Sequence, residues 1–244
     1  MSEFLIFIPV YNEERSISSI IHEIRKTTDH VDILVIDDGS TDATPNILEK
    51  INKVQTIRNI ENQGYGKTLI NGFRYADEMG YKYVITIDSD KQHQPREINK
   101  FINATKHYNS DIISGSRYLN VSREELEKAP EDRIRINRKI TDIINRITGY
   151  QLTDSFCGFK LYKVTALRQL NLTETGYGLP LQLWIQSWKK GLTIREIPVQ
   201  LIYFDHTPRQ TSSWKNMFRR YRYYLRIIQK ETESHEYNDY SSAS

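Results

Sequence analysis

Asp88-Ser89-Asp90 places two carboxylates two residues apart at the end of the apolar run Tyr83-Val84-Ile85-Thr86-Ile87. Residues two apart in an extended chain point the same way, so both acids face one site where the strand ends. Two hard oxygen donors suit Mg2+ or Mn2+ and leave coordination positions for water and phosphate oxygens. A helix cap is the competing reading, since a helix-like stretch runs over 96–107, but a cap needs one acid and not two. Asp37-Asp38-Gly39-Ser40-Thr41-Asp42 occupies a strand-to-helix turn. Acids at a strand end accept hydrogen bonds from a base N–H or a ribose hydroxyl, the role expected of Asp38. Gly39 permits the turn, and Asp42 is expected to cap the helix that follows. Asn62-Gln63-Gly64-Tyr65-Gly66-Lys67 precedes another helix. Its glycines and Lys67 point to phosphate. The Walker spacing is absent, though, and a tight turn packing the helix closely on a sheet explains the same residues.

These clusters need elements to carry them. Strand-like segments at 4–10, 31–36, 54–59, 83–87 and 111–114 alternate with helix-like ones at 16–27, 42–53 and 66–79 and within 91–107. Strand–helix alternation with short connections predicts a three-layer α/β/α fold with a mostly parallel central sheet. Ligands bind beyond the carboxyl ends of such strands, and Tyr11-Asn12-Glu13, Asp37-Asp38 and Asp88-Ser89-Asp90 all fall there. The pattern changes after Arg117. A charged stretch over 119–135 reads as a mobile loop or exposed helix, 136–148 and 179–190 as helices, and 192–203 as one or two strands. Trp214, Met217, Phe218, Tyr221, Tyr224, Leu225 and Ile228 recur at helical spacing in a C-terminal amphipathic helix. The expected organisation is a domain over 1–211 in two halves, one to 117 carrying the acidic clusters and one from 118. A basic helix over 212–230 and a disordered tail over 231–244 follow.

The 244 residues, 38% hydrophobic and 27% charged, suit one sizeable domain with an appendage. No apolar run approaches the roughly 20 residues that span a bilayer. No basic segment precedes an apolar signal core either, so a cytoplasmic protein is expected. The single cysteine, Cys157, excludes an internal disulfide and a zinc cluster and is expected to be buried packing. A net charge of +3 does not argue nucleic-acid binding. The distribution says more: 212–230 holds six Lys and Arg and no acid. One side of that helix is expected to pack on the domain. Lys215, Arg219, Arg220, Arg222, Arg226 and Lys230 are placed to meet anionic headgroups, which would make the protein peripheral at the inner face of the cell membrane. A homodimer surface is the other use of that helix.

Ile8-Pro9-Val10-Tyr11-Asn12-Glu13-Glu14, Ile36 to Asp42, Asn62 to Gly66 and Asp88 to His93 together resemble, in order and spacing, the inverting glycosyltransferases of family 2, with their GT-A fold. The branch most similar is that of dolichyl-phosphate mannose synthases and related polyprenyl-phosphate sugar transferases. Gln92-His93-Gln94-Pro95, Ser114-Gly115-Ser116-Arg117-Tyr118, Asp154 to Lys160 and Glu196-Ile197-Pro198-Val199 carry that likeness. The resemblance implies that Pro9, Tyr11, Glu13, Ile36 and Asp38 hold the nucleoside of a nucleotide-sugar donor, GDP-mannose or a UDP-sugar. Asp88, Ser89, Asp90 and Gln92 would surround the metal and the diphosphate, with Lys67 nearby. Arg117, Arg138 and Arg209 fall where the branch keeps cations for phosphates. The sequence departs from the branch at Asp205-His206-Thr207-Pro208-Arg209, where synthases usually show an arginine, a glycine and a Ser-Lys pair.

A lipid phosphate acceptor is already ionised, whereas a hydroxyl needs a carboxylate base, for which Asp154 is the later acid to nominate; a turn or cap role for it stays equally open. In-line attack would invert the anomeric centre. The expected reaction is hexose transfer to a polyprenyl or dolichyl phosphate. Transfer to a hydroxyl of a glycan or other polar acceptor is the alternative, followed by a catalytically silent nucleotide-sugar-binding module. A sugar nucleotidyltransferase would need a glycine-rich loop where this chain has Tyr11-Asn12-Glu13-Glu14.

Overall fold

The computed structural model describes residues 2–28, 30–127, 129–202 and 214–233. A seven-stranded sheet runs in the order β3-β2-β1-β4-β6-β5-β7. Its strands are β1 (Phe4–Val10), β2 (Asp32–Asp37), β3 (Gln55–Arg58), β4 (Tyr83–Thr86), β5 (Ile112–Ser116), β6 (Lys160–Lys163) and β7 (Ile194–Pro198). Only β6 is antiparallel to its neighbours, β4 and β5. The mostly parallel α/β/α expectation is thus met, and β6 is an addition that the sequence reading did not contain.

Alternation along β1 builds two cores. Leu5 and Phe7 face α3 (Tyr65–Glu78), α6 (Glu131–Thr148), α8 (Leu179–Lys189) and α9 (Trp214–Glu233), while Ile6, Ile8 and Val10 face α1 (Ile17–Thr27) and α4 (Ile98–His107). Both faces of the central strands are buried, so they read as continuous apolar runs.

Three helix boundaries differ from the sequence reading by three residues or more. The helix expected over 42–53 is the short α2 (Thr44–Leu48), because the chain then tightens into i→i+3 bonds, Lys50 to Ile47 and Ile51 to Leu48. The stretch expected as loop or exposed helix holds α5 (Arg123–Glu127) and the first turn of α6, which begins at Glu131. Helix α9 runs to Glu233, past the boundary at 230, because Glu231 is buried against α8. The short helix α7 (Val164–Leu167) follows β6. The tail beyond 233 lies outside the described residues.

Candidate active site

The loops after β1 and β2 form one braced unit. Asn12 adopts a left-handed backbone (φ 56°), which asparagine tolerates, and turns the chain over the end of β2. Its N–H donates to Ser40 Oγ at 2.9 Å, and its Oδ1 accepts from Thr41 N–H at 2.8 Å. Glu13 N–H donates to Thr44 Oγ1 and Ala43 N–H to Glu14 Oε2. The Glu13 carboxylate accepts from the Ser16 hydroxyl at 2.6 Å. Asp42 accepts from Thr44 N–H at 2.9 Å and from Glu14 N–H, but the N-cap of α2 is Ala43, so the expected cap is instead a turn one residue outside the helix. Tyr11 stands exposed above this floor, while Pro9 and Ile36 are buried in it.

Asp38 is almost fully buried and accepts three hydrogen bonds: from Asn59 Nδ2 at 2.7 Å, Gln63 N–H at 2.9 Å and Gly64 N–H at 2.9 Å. It therefore ties the turn at the head of α3 to the strand end. Lys67, half-buried in the first turn of α3, is the cation there.

Beside β1, the β4 terminus presents the paired acids. Asp88 Oδ1 accepts from the Tyr65 hydroxyl at 2.9 Å, and His93 Nε2 lies 3.4 Å from its Oδ2. Burial alone would raise the Asp88 carboxyl, but His93, Tyr65 and the nearby Lys160 charge hold it below the usual carboxylate range. Ser89 Oγ donates to Pro9 O at 3.1 Å, which fixes the acidic loop to β1. Asp90 Oδ1 accepts from Gln92 N–H at 3.0 Å. Gly158 passes so close that a Cβ there would collide with the Asp88 carboxylate.

A second set of charges closes the other side. Arg117, at the end of β5, donates from Nε to Asp154 Oδ2 at 2.7 Å and from Nη2 to Oδ1 at 3.0 Å. Asp154 is fully buried and also accepts from Asn137 Nδ2 at 2.6 Å and Phe156 N–H at 3.2 Å. Burial would raise its carboxyl, but the Arg117 charge and these hydrogen bonds outweigh that and bring it down to about 2. Glu196 on β7 seats this segment by accepting from Thr153 N–H, Thr153 Oγ1 and Asp154 N–H. Lys160 is buried on β6 and donates to Cys157 O, with its pKa lowered by burial. Cys157 is fully buried, as expected of a packing residue, and burial pushes its thiol up to about 12.

Among the described residues no group of three or more His, Cys, Asp and Glu is arranged to hold a metal ion. The donor set at the β4 end is Asp88 and Asp90 with Gln92. Such hard oxygen donors fit Mg2+ or Mn2+ when substrate phosphates and water complete the shell, and do not form a closed protein cage.

Residues 5–170 match the family described as Glycosyl transferase family 2. The chain belongs to that family. A UDP-N-acetylglucosamine–dolichyl-phosphate N-acetylglucosaminyltransferase of Methanococcus voltae is 29% identical over 227 residues, 85% of this chain and 89% of that protein. An undecaprenyl-phosphate mannosyltransferase of Micrococcus luteus is 27% identical over 81% of this chain and 83% of its own length. The fold is shared with glucosyl-3-phosphoglycerate synthase of Mycobacterium tuberculosis, solved with Mn2+, UDP-glucose and phosphoglyceric acid. The TM-score is 0.69 at 18% identity, covering 93% of this chain and 79% of that one.

In this family 2 glycosyltransferase, contacts join Pro9, Asp38, Asp88 and Ser89 into one surface at the strand ends, with Arg117 and Asp154 on the flank through 154–158. Arg138 is exposed on α6, whereas its neighbour Asn137 faces inward to Asp154. Arg209 lies outside the described residues. Sequence reasoning left Tyr65, His93, Asn137 and Glu196 without a role. The signal was present for Tyr65, between two glycines, and for His93, three residues past Asp90. For Asn137 it was not, because only the helix phase turns it inward.

Proposed function

We propose that this chain transfers a sugar from a nucleotide-diphosphate donor to a polyprenyl phosphate, with inversion at the anomeric carbon. The observation that carries the reading is the state of Asp154. Its oxygens are taken up by Arg117, Asn137 and Phe156, and its pKa near 2 makes it a poor proton acceptor. Among the described residues, Glu196 and Glu174 are likewise engaged, by Thr153 and by Tyr223. A hydroxyl acceptor needs such a base. A phosphate monoester brings an ionised oxygen of its own.

In this reading the braced floor of Pro9, Tyr11, Glu13, Ile36 and Asp38 receives the nucleoside. Asp88 and Asp90, with Ser89, Gln92 and Lys67, receive the diphosphate. A bound divalent cation would be held by Asp88 and Asp90 and supply Lewis-acid stabilisation of the leaving diphosphate. Asp154 holds the Arg117 fork in place, and Nη1, which takes no part in the pair, serves an incoming phosphate. Arg138, exposed on α6, adds cationic character to the acceptor side. The names of the Methanococcus and Micrococcus relatives support the lipid-phosphate acceptor.

Helix α9 supports a surface role as well. Tyr224, Ile227, Ile228 and Glu231 pack inward, leaving Phe218, Arg219, Arg222, Arg226 and Lys230 outward. That outward side suits anionic headgroups, where a polyprenyl phosphate resides. Co-sedimentation with anionic and neutral vesicles tests this, and a second copy of the chain on that face would show instead as a concentration-dependent dimer.

A donor panel of GDP-mannose, UDP-glucose, UDP-galactose and UDP-N-acetylglucosamine, each with Mn2+ or Mg2+ and a short polyprenyl phosphate, tests the reaction. Metal-dependent lipid glycosylation that Asp90→Ala abolishes is expected. Donor hydrolysis without lipid product would move the acceptor to a hydroxyl. Binding of a donor with neither transfer nor hydrolysis would leave the catalytically silent module, and binding of none would overturn the donor site.

A further inference from the structure

Helix α9 reaches the paired acids through a short series of directional contacts. The Tyr223 hydroxyl donates to Glu174 Oε1 at 2.5 Å, and the same oxygen accepts from Gly176 N–H at 2.8 Å. Further along α9, buried Glu231 accepts from Gln182 Nε2 at 2.7 Å. Gln182 Oε1 in turn accepts from the N–H groups of Thr173 and Glu174, both at 2.8 Å. Segment 173–177 is thus gripped by α9 at two places.

The other side of that segment presses on the turn that opens α3. Lys67 N–H donates to Thr175 O at 3.1 Å. Gly64 and Gly66 lie so close that a Cβ on either would collide with the carbonyls of Thr175 or Glu174. Between those glycines stands Tyr65. Its ring stacks on the exposed ring of Tyr177 with centroids 5.4 Å apart and planes 16° from parallel, and its hydroxyl donates to Asp88 Oδ1. Packing alone would need none of these polar links, and each fixes an orientation that the next one uses.

We infer that Tyr65 is a positioning residue for Asp88, and that α9, through Tyr223, Glu174 and Tyr177, holds Tyr65 in place, so that the diphosphate end of the donor site is complete only with α9 docked. This rests on the reading of Asp88 and Asp90 as the diphosphate and metal side of the site. It adds a task for α9 that is independent of lipid: the inward face of the helix acts on donor binding before any acceptor arrives.

The test uses the full chain without lipid. Calorimetry measures the affinity of UDP and of GDP, each with and without MnCl2, for the wild type, Tyr65→Phe, Tyr223→Phe and the double variant. For the nucleotide that binds, Tyr65→Phe is expected to cut the gain in affinity given by Mn2+ about tenfold, the scale of losing a group that orients a metal ligand. Tyr223→Phe, acting one step back, should cut it roughly threefold. The double variant should be no worse than Tyr65→Phe alone, since both removals act along one path. Metal-free affinity should hold and the melting temperature should fall by no more than the few degrees of a lost hydrogen bond, which a general loss of structure would exceed. Wild-type affinity in Tyr223→Phe, or equal losses with and without Mn2+, would overturn the inference while leaving the donor site intact. Wild-type chain that binds neither nucleotide in Mn2+ would overturn the donor-site reading, and the inference with it.

Discussion

Arg117 and Asp154 form a two-pronged pair, with Nε and Nη2 of the guanidinium on separate carboxylate oxygens at 2.7 and 3.0 Å. The acid is fully buried and the arginine side chain is 12% exposed, so Nε and Nη2 are fixed and Nη1 stays outside the pair. Such a pair orients a cation, at the cost of removing the acid from proton chemistry.

Removing one partner of this pair leaves the other charge buried and uncompensated. Asp154→Ala is expected to destabilise the fold by about 3–5 kcal/mol, read from urea denaturation. Arg117→Ala/Asp154→Ala should be less destabilised than the sum of the two single variants, because no lone charge remains. In turnover, Arg117→Ala should already carry most of the loss, with the double variant close to it. A much slower double variant would mean that Asp154 acts on its own account.

The pair also sets an acid limit on stability. The folded pKa of Asp154, about 2, lies below the ordinary 3.8. The unfolded state therefore binds a proton first as pH falls. The contribution is fully present above pH about 4 and is lost between there and pH 2, amounting to about 2 kcal/mol. Denaturation profiles of the wild type and Asp154→Asn should converge over that window. Parallel profiles would mean that the pair contributes no pH-dependent stability.

Gly158 is expected to be intolerant of even one methyl group. A Cβ there meets the Asp88 carboxylate, which the Tyr65 hydroxyl and His93 already confine. Gly158→Ala should cost about 1–3 kcal/mol of stability through overpacking. It should weaken Mn2+-dependent nucleotide binding at least about tenfold by turning Asp88 away. A thermal melt and nucleotide titration check the two effects separately.

Much of this arrangement was legible because its signals are local. The apolar runs of β1, β2 and β4 and the polar residues that end them lie within a few positions of one another, so strand periodicity alone puts Pro9, Asp38 and Asp88 on one edge. Strand β6 was not legible: it is four residues long, includes a buried lysine and owes its place to pairing with β4 and β5. The part played by Asp154 was equally hidden. An aspartate in that position reads the same as a base or as an ion-pair partner, and Arg117, 37 residues away in sequence, decides between them. Helix α6 was legible from 136 onward, but the charges Glu131, Asp132, Arg133 and Arg135 disguised its first turn, where Ile134 alone faces inward.

The central claim is that the acceptor supplies its own charged nucleophile. The measurement that tests it most directly offers a short polyprenyl phosphate and the matching polyprenol to the same enzyme with the donor it binds, and follows sugar transfer to each. The account predicts product from the phosphate and none from the alcohol. Comparable transfer to the alcohol would contradict it, because a base other than the ion-paired Asp154 would then have to be at work.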